Sequence, residues 1–404
     1  MPTPTLGFSL ADPALWTDGP PRQVFAQLRE HAPISWHEEP ATEWFPEGGR
    51  GFWSVVRHDD IQTVSKDQET FTSALGTELV DMPADAVRLY GGMLNMSGAE
   101  HAKHRAIVSR IFAPRVLAQL TPRITEYARV RIARAKEMGS FDFVEDLVGD
   151  FPAQIVCDLM GVPVTDRDEL IRLTGVALAG NGTAESFSTM VEIVNYARKL
   201  AERAPVGDTE ASVLSRLVDA EVDGQRLSNE EVGIFLALLL TAGIETTATS
   251  IAQGFLAMSE YPDQKLAWQN DFDALAPRAV EEIVRWVTPV MHFRRTATTD
   301  TELRGQKIAA GDKVVLWYTS GNRDESLFDM PERLDFGRSA DTPHVAFGGG
   351  GPHFCLGAVL ARLELTIFYR ELFAELPHAT VTGAPTRLHS NFVNGLAKLP
   401  ASVR

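Results

Sequence analysis

The feature that most constrains the fold is a long helical segment that begins at Ser228. Ser228 and Glu231 have the spacing of a capping box, in which each side chain bonds the backbone amide of the other residue. No proline follows until Pro262, so the helix is predicted to reach Glu260. At about 1.5 Å per residue it spans roughly 50 Å, the width of a whole domain. Its middle, residues 235–240, is apolar on every face, so it must cross the protein core.

Charge and cysteine content narrow the class of protein. The 404 residues carry a net charge of −16, from 38 basic and 54 acidic side chains, and two distant cysteines, Cys157 and Cys355. The negative charge disfavours nucleic acid and anionic membranes as partners, and the cysteines fit a reducing cytoplasm rather than a disulfide framework. The N-terminus shows no signal peptide, and the apolar stretch 232–244 is shorter than the ~20 residues of a bilayer span. We expect a cytoplasmic monomer without a membrane anchor.

The remaining patterns predict a mainly α protein with small β-sheets. Helices are expected over most of 99–161, in two stretches of 165–206 around the loop Gly180-Asn-Gly182, and over 277–287 and 357–376. Strands are expected at 51–57, 301–308 and 313–318. No repeat or linker interrupts the chain. Residues 1–404 are therefore predicted to form a single domain, with a small strand-rich N-terminal lobe and a large helical lobe.

Cys355 follows a glycine-rich run that suits a reactive thiolate. The loop Gly348 to Gly351 can present backbone amides at close range, because glycine lacks a Cβ. The helix predicted to begin near Gly357 points its positive end at the sulfur, which also favours the anion. Such a thiolate can hold a haem iron and push electron density toward bound oxygen. On the loop alone, a buried free cysteine beside a flexible turn is the alternative.

The long helix carries the polar segment Ala242-Gly-Ile-Glu-Thr-Thr247 within its apolar middle. Thr246 can bond back to the carbonyl of Ala242 and bend the helix, and Gly243 permits another backbone or a ligand to approach. Glu245 and Thr246 together supply the acid and the hydroxyl of a proton relay, so we predict them as the catalytic residues. The alternative is a buried helix with a polar kink.

These segments resemble motifs of the cytochrome P-450 family. The loop resembles the haem signature Phe-x-x-Gly-x-(Arg/His)-x-Cys-x-Gly: His353, Cys355 and Gly357 fall in place, and Phe347 lies one residue further from the cysteine. Residues 242–247 resemble the family's oxygen-activation motif. The longer loop is similar to that of a bacterial branch that acts on lipid and steroid chains. The likeness extends over about residues 52–400, and it implies a cytochrome P-450 fold with haem b between the long kinked helix and the cysteine-loop helix.

Further residues take their roles from this resemblance. Glu282-Ile-Val-Arg285 matches the structural Glu-x-x-Arg pair, and Arg333 lies in the segment that resembles its partner. Haem propionates need Arg or His as partners. By their order in the family, four residues match these partners: His101, Arg105, Arg295 and His353. The predicted cofactor-binding residues are His101, Arg105, Ala242, Gly243, Arg295, Phe347, Gly348, His353, Cys355 and Gly357, with Cys355 as the metal ligand.

The resemblance also places a substrate pocket above the haem, on the side of the kinked helix. An apolar lining implies a hydrophobic substrate. The alternative for every such residue is plain protein core. The predicted lining residues are Met93, Leu94, Phe235, Leu238, Leu239, Val290, Met291, Phe293, Phe392 and Val393.

The function predicted from these residues is O2-dependent monooxygenation of a C–H bond in a lipid, steroid or terpenoid-like substrate, with terminal hydroxylation favoured. The chain shows no flavin or nicotinamide fingerprint and no cysteine cluster for an iron–sulfur centre. Electrons are therefore expected from a ferredoxin, reduced by an NAD(P)H-dependent ferredoxin reductase. The alternatives are a peroxide-driven peroxygenase, a tailoring hydroxylase of polyketides or other natural products, and a haem- or ligand-binding sensor without catalysis.

Overall fold

A computed structural model describes residues 7–42, 45–109, 111–179, 183–203, 212–339 and 341–404. The loop predicted at Gly180-Asn-Gly182 lies outside these residues. The α-helices are α1 Arg22–His31, α2 His58–Lys66, α3 Ala84–Gly91, α4 Gly98–Ser109, α5 Pro114–Leu117, α6 Thr121–Met138, α7 Phe151–Met160, α8 Arg167–Ala179, α9 Ala184–Arg203, α10 Val213–Val218, α11 Asn229–Glu260, α12 Pro262–Asn270, α13 Phe272–Val287, α14 Tyr318–Gly321 and α15 Ala358–Glu375. Short 3₁₀ segments cover Pro13–Trp16, Gly92–Asn95, Ala118–Leu120 and Val164–Asp166, and a π-helical turn covers Phe143–Val148.

The strands are short and form small sheets. They are β1 Ile34–His37, β2 Phe52–Val55, β3 Phe71–Thr72, β4 Ser140–Asp142, β5 Glu221–Val222, β6 Gln225–Arg226, β7 His292–Ala297, β8 Thr301–Leu303, β9 Gln306–Ile308, β10 Lys313–Trp317, β11 Thr380–Val381, β12 Thr386–Arg387, β13 Leu396–Lys398 and β14 Pro400–Ser402. The largest sheet has the order β1-β2-β10-β7-β3, in which β2 and β10 are parallel and the other pairs antiparallel. It thus combines N-terminal strands with two strands from residues 292–317.

The predicted long helix is confirmed as α11. Its capping box forms as expected: the Glu231 amide donates to the Ser228 hydroxyl at 3.2 Å, and the Ser228 amide donates to the Glu231 carboxylate at 2.8 Å. The helix packs against α7, α9, α13 and α15, and most of its apolar residues are buried. Among the described helices it alone is long and apolar enough to cross a membrane, but 61% of its most apolar window is buried inside the protein. The prediction of a core helix therefore holds.

Two boundaries differ from the sequence prediction. Helix α13 begins at Phe272, five residues before Pro277, where the helix was expected to begin. Proline lacks an amide hydrogen, so the helix loses only the bond from residue 277 to the carbonyl of Asp273. The side chain of Asp273 is 82% exposed, and water can bond the carbonyl instead. Strand β4 lies within a stretch predicted as mostly helical. Its partner is β14, at the other end of the chain, and local sequence pattern does not report such a long-range pairing.

Candidate active site

Cys355 lies just before α15, where backbone groups fix both its main chain and its sulfur. Its amide donates to the carbonyl of Phe347 at 2.9 Å. Cys355 is accessible from the cavity that it lines, and protein surrounds its sulfur on the other sides. Burial raises the pKa of the thiol, and this is opposed by hydrogen bonds from the backbone of Gly357 and Ala358 and by the charges of Arg105 and Arg362. The expected contribution of the helix N-terminus is therefore present in the geometry.

The glycine run has a different contact from the one predicted. The amides that bond the sulfur belong to Gly357 and Ala358, not to residues 348–351. The run packs instead against α2: a Cβ on Gly351 would lie 2.7 Å from the Ser65 carbonyl oxygen, and one on Gly349 would lie 2.9 Å from the Ile61 carbonyl oxygen. These contacts leave no room for a side chain, which explains the glycines at this crossing.

On α11, the polar segment faces the same cavity. The Thr246 hydroxyl donates to the Ala242 carbonyl at 2.9 Å, as the spacing predicted. Thr246, Glu245, Ala242 and Gly243 all line the cavity. A Cβ on Gly243 would lie 2.8 Å from a methyl group of Val156, so this glycine also lets α7 approach α11. The helix is continuous through this segment, and the predicted kink stays a prediction.

Glu245 is held in an environment that favours its protonated form. Burial raises the pKa of its carboxyl, and a hydrogen bond from Thr249 only partly opposes the shift. The Thr249 hydroxyl lies 3.4 Å from the carboxyl Oε1. The same oxygen would lie 3.3 Å from a Cβ on Gly395, so the carboxyl reaches toward the C-terminal turn. Glu245 can therefore keep a proton at the cavity wall at a pH where an exposed glutamate has lost it.

Four basic side chains converge at one end of the cavity. His101, Arg105, Arg295 and His353 all line it, and the two imidazole rings lie 4.0 Å apart. Burial, followed by the nearby positive charges, lowers the pKa of His101 to about 4 and that of His353 to about 2. Among the described residues neither arginine makes an ion pair; Arg105 donates to the Phe354 carbonyl and Arg295 to the Arg294 carbonyl. The Nε2 atom of His353 is buried without a partner.

The Glu-x-x-Arg pair is buried behind the cysteine loop. Arg285 bonds Glu282 with two parallel hydrogen bonds of 2.7 and 2.8 Å, and both side chains are 2% exposed. Arg285 also donates to the carbonyls of Asn322, Pro331 and Arg333, at 2.7, 2.9 and 3.2 Å. The pair thus joins α13 to the segment before the loop.

Arg333 contributes to this pair through its backbone only, which corrects the prediction for its side chain. That side chain is 47% exposed and lies 3.9 Å from Asp263. A second arginine, Arg338, also pairs with Glu282: its Nε lies 3.2 Å from Glu282 Oε2. The sequence prediction missed Arg338 because the irregular segment after α14 that carries it has no regular spacing that assigns side-chain direction.

The cavity between α11, the cysteine loop and the C-terminal turn has a volume of about 310 Å³. Eight of the predicted apolar lining residues face it: Met93, Leu94, Leu238, Leu239, Val290, Phe293, Phe392 and Val393. Two predictions were wrong. Phe235 is 3% exposed in the main core, because the cavity begins one helical turn later on α11. Met291 is 1% exposed and packs in the cluster that contains Trp16 and Trp317, on the other side of the sheet segment.

The structure also adds cavity residues that the sequence prediction missed. They come from segments far apart in the chain, and they include Glu78, Phe112, Val156, Leu159, Met160, Ala177, Met190, Tyr318 and Glu364. Glu364 is the most unusual of these, since it is 1% exposed and its Oε2 has no hydrogen-bond partner. Its position could be read from the sequence in hindsight, because Leu360 and Phe368, one turn on either side, place it on the buried face of α15.

Comparison with known proteins assigns the family. The cytochrome P450 family model matches residues 183–400. The methyl-branched lipid omega-hydroxylase of Mycobacterium tuberculosis is 41% identical over 389 residues, which cover 94% of this chain and 90% of that protein. The chain belongs to the cytochrome P450 family.

Two further matches to this cytochrome P450 cover almost its whole length. The steroid C26-monooxygenase of Mycolicibacterium smegmatis is 37% identical over 408 residues, or 98% of this chain and 94% of that protein. A Mycobacterium marinum cytochrome P450 solved in complex with pseudoionone has a TM-score of 0.91 at 37% identity, covering 100% of this chain and 99% of that one. The predictions of a cytochrome P450 fold and of a monooxygenase that hydroxylates a hydrophobic substrate are thereby confirmed.

The residues of this cytochrome P450 fit the haem that the family uses with O2 and electrons from a redox partner. A cysteine opens on the cavity, and four basic side chains lie at its edge. His101 and Arg295 are buried, and neither arginine has a carboxylate partner among the described residues. The uncompensated charge of the buried Arg295 is costly, so this cluster calls for an anion. The two propionates of a haem supply such an anion, and the orphaned Nε2 of His353 supplies a further group for it to bond.

We expect Glu364→Gln in this P450 to raise the free energy of unfolding more at pH 8 than at pH 6. Burial holds the pKa of Glu364 well above 4.5, and a hydrogen bond with Thr247 lowers that pKa only in part. As the pH rises, Glu364 loses its proton in the unfolded chain at a lower pH than in the folded protein. The free energy of unfolding of the wild type therefore falls by about 1.4 kcal/mol per pH unit until the pKa of Glu364 in the folded protein is reached. Glutamine does not titrate and lacks this loss.

Urea unfolding at the two pH values checks this expectation. The control is Glu375→Gln, also on α15. Glu375 is fully exposed and pairs with Lys136 at 2.9 Å, which lowers its pKa, so its replacement has the same effect at pH 6 and pH 8. An equal effect of Glu364→Gln at both pH values contradicts a protonated Glu364.

Proposed function

We propose that this cytochrome P450 hydroxylates a terminal or methyl-branched carbon of a lipid or steroid side chain. The observation that carries the proposal is the cavity, whose wall around α11 and the C-terminal turn is apolar and which leads to Cys355. An apolar wall binds a hydrocarbon chain but holds few groups that orient a polar one. The activities of two relatives, a methyl-branched lipid omega-hydroxylase and a steroid C26-monooxygenase, support the same substrate class.

We further propose that the cofactor is haem b, with Cys355 as its thiolate ligand. His101, Arg105, Arg295 and His353 bind the propionates, since these four groups form the basic cluster of the cavity. Ala242, Gly243, Phe347, Gly348 and Gly357 line the cavity around the ring. When bound, the haem supplies the activation of O2.

The chain's own residues deliver protons and position the substrate. Thr246 donates its hydroxyl proton to the Ala242 carbonyl, which leaves the oxygen lone pairs free to accept from the cavity side. Glu245, with its raised pKa, stores a proton at the wall beside Thr246. Leu238 and Leu239, two turns earlier on α11, exclude water from the space next to the reacting carbon.

The source of electrons is proposed to be a ferredoxin, reduced by an NAD(P)H-dependent reductase. The protein is proposed to act as a monomer in the cytoplasm, with residues 1–404 as one catalytic domain. The net charge of −16 and the two free cysteines support this setting.

The experiment uses haem-loaded protein with a ferredoxin, its reductase, NADPH and a methyl-branched fatty acid under ¹⁸O2. We expect one ¹⁸O atom in a hydroxyl group on a terminal carbon. A straight-chain fatty acid of equal length is the matched substrate control. Omission of ferredoxin removes product, whereas hydrogen peroxide alone does not replace it. Turnover with hydrogen peroxide and none with ferredoxin contradicts the monooxygenase assignment, and oxidation at internal carbons alone contradicts the proposed position.

A further inference from the structure

Arg362 makes a specific contact with the cysteine loop from α15. Its guanidinium carbon lies 4.5 Å from the centre of the Phe347 ring, face on. Its Nη2 donates to Glu281 Oε2 at 2.8 Å, and its Nε bonds Glu281 Oε1. The Glu281–Arg362 pair therefore holds the charge over the face of an aromatic ring whose residue also accepts the Cys355 amide.

His344 ties the same carboxylate to the start of the loop. The Ala346 amide donates to His344 Nδ1 at 3.2 Å, so this nitrogen is the acceptor of a neutral imidazole. Nε2 then carries the hydrogen, and it lies 3.1 Å from Glu281 Oε2. Glu281, on α13 beside the Glu-x-x-Arg pair, thus connects α13, α15 and the residues that lead to Cys355.

The Glu281 carboxylate carries its full charge at neutral pH. Burial by itself raises the pKa of Glu281, but hydrogen bonds from Arg362 and His344 outweigh it and bring the pKa to about 2. The charge of Arg362 also acts at the Cys355 sulfur, where it favours the thiolate against burial. A positive and a negative charge are therefore fixed next to each other, with the arginine over the ring of Phe347.

We infer that Arg362 and Glu281 are positioning residues that set the reduction potential of the haem iron held by Cys355, in opposite directions. The inference rests on the proposed ligation by Cys355. A positive charge near the iron favours the reduced, less positive state, and a negative charge favours the oxidised state. Groups outside the ligand itself are known to tune a metal in this way.

The test is a potentiometric titration of haem-loaded wild type, Arg362→Gln, Glu281→Gln and the double variant. We expect the midpoint potential to fall in Arg362→Gln, to rise in Glu281→Gln, and to return toward wild type in the double variant. Arg362→Lys keeps the positive charge but loses the bidentate hydrogen bond to Glu281. Its midpoint potential therefore stays closer to wild type than that of Arg362→Gln. If both single variants shift in the same direction, the pair acts by packing and the inference is wrong.

A second pair on the same helix provides a matched control. Arg370, eight residues after Arg362, lies 4.5 Å from the centre of the Phe272 ring and bonds Asp273 at 2.6 Å, and these residues do not line the cavity. Arg370→Gln leaves the potential unchanged. The carbon monoxide spectrum of each reduced protein distinguishes a failure of this inference from a failure of the proposed ligation by Cys355. A thiolate spectrum with unmoved potentials overturns only this inference, whereas a wild type without that spectrum overturns the ligation by Cys355.

Discussion

Glu245→Gln is expected to lower the turnover number by roughly 100- to 10,000-fold, the usual contribution of a positioned acid or base. Glutamine has the same shape and remains polar, but it cannot hold or release the proton that burial keeps on the Glu245 carboxyl. The substitution leaves the apolar wall intact, so the affinity for a hydrophobic ligand changes little. Steady-state turnover and ligand-induced spectral titration measure the two effects separately.

Glu230→Gln is the matched control for this prediction. Glu230 is on the same helix, in its exposed first turn, and it does not line the cavity. We expect it to keep wild-type turnover. If the turnover number of Glu245→Gln is within a factor of about three of wild type, the Glu245 proton is not used. That result contradicts the proposed proton relay of Glu245 and Thr246.

Arg285→Ala is expected to lower the free energy of unfolding by about 3–5 kcal/mol, the cost of leaving a buried partner charge uncompensated. Glu282 is 2% exposed in its side chain, and Arg338 alone remains beside it at 3.2 Å. The substitution also removes the donors for the carbonyls of Asn322, Pro331 and Arg333. Urea unfolding of the haem-loaded protein measures the loss.

The control pair has the same spacing but lies in solvent. Arg172 bonds Glu169 with two hydrogen bonds of 2.7 and 2.8 Å, and the two side chains are 58% and 62% exposed. We expect Arg172→Ala to change the free energy of unfolding by no more than about 1 kcal/mol. Equal losses in the two variants contradict a structural role for the buried pair.

Local spacing in the sequence predicted the parts of the site that depend on one helix. The capping box at Ser228, the bond from Thr246 to Ala242 and the ion pair of Glu282 with Arg285 each join residues three or four positions apart. In a helix this spacing fixes which side chains meet, so the geometry follows from the sequence.

The parts that the sequence could not predict depend on distant segments. The glycine run packs on α2 because Ser65 and Ile61 lie beneath it, nearly 300 residues earlier in the chain. Met291 turns toward Trp317 rather than the cavity, in a stretch without regular alternation. Apolar residues satisfy the core and the cavity wall equally well, so composition does not separate the two.

The charge partners show the same limit. The side chain of Arg338, not that of Arg333, reaches Glu282, since the irregular segment before the cysteine loop directs its side chains by tertiary packing. Glu364 was missed because a carboxylate on a helix is usually exposed, and only the packing of α15 against other helices, α11 among them, buries it.

The most direct test of the central claim is the absorption spectrum of the reduced, carbon monoxide-bound protein. If Cys355 is the thiolate ligand of the haem, the wild type shows a strongly red-shifted Soret band, and Cys355→Ala binds haem without that band. Cys157→Ala, at the other, buried cysteine, is the matched control and keeps the band. A haem-loaded wild type without the red shift, or a Cys355→Ala variant that retains it, contradicts the account.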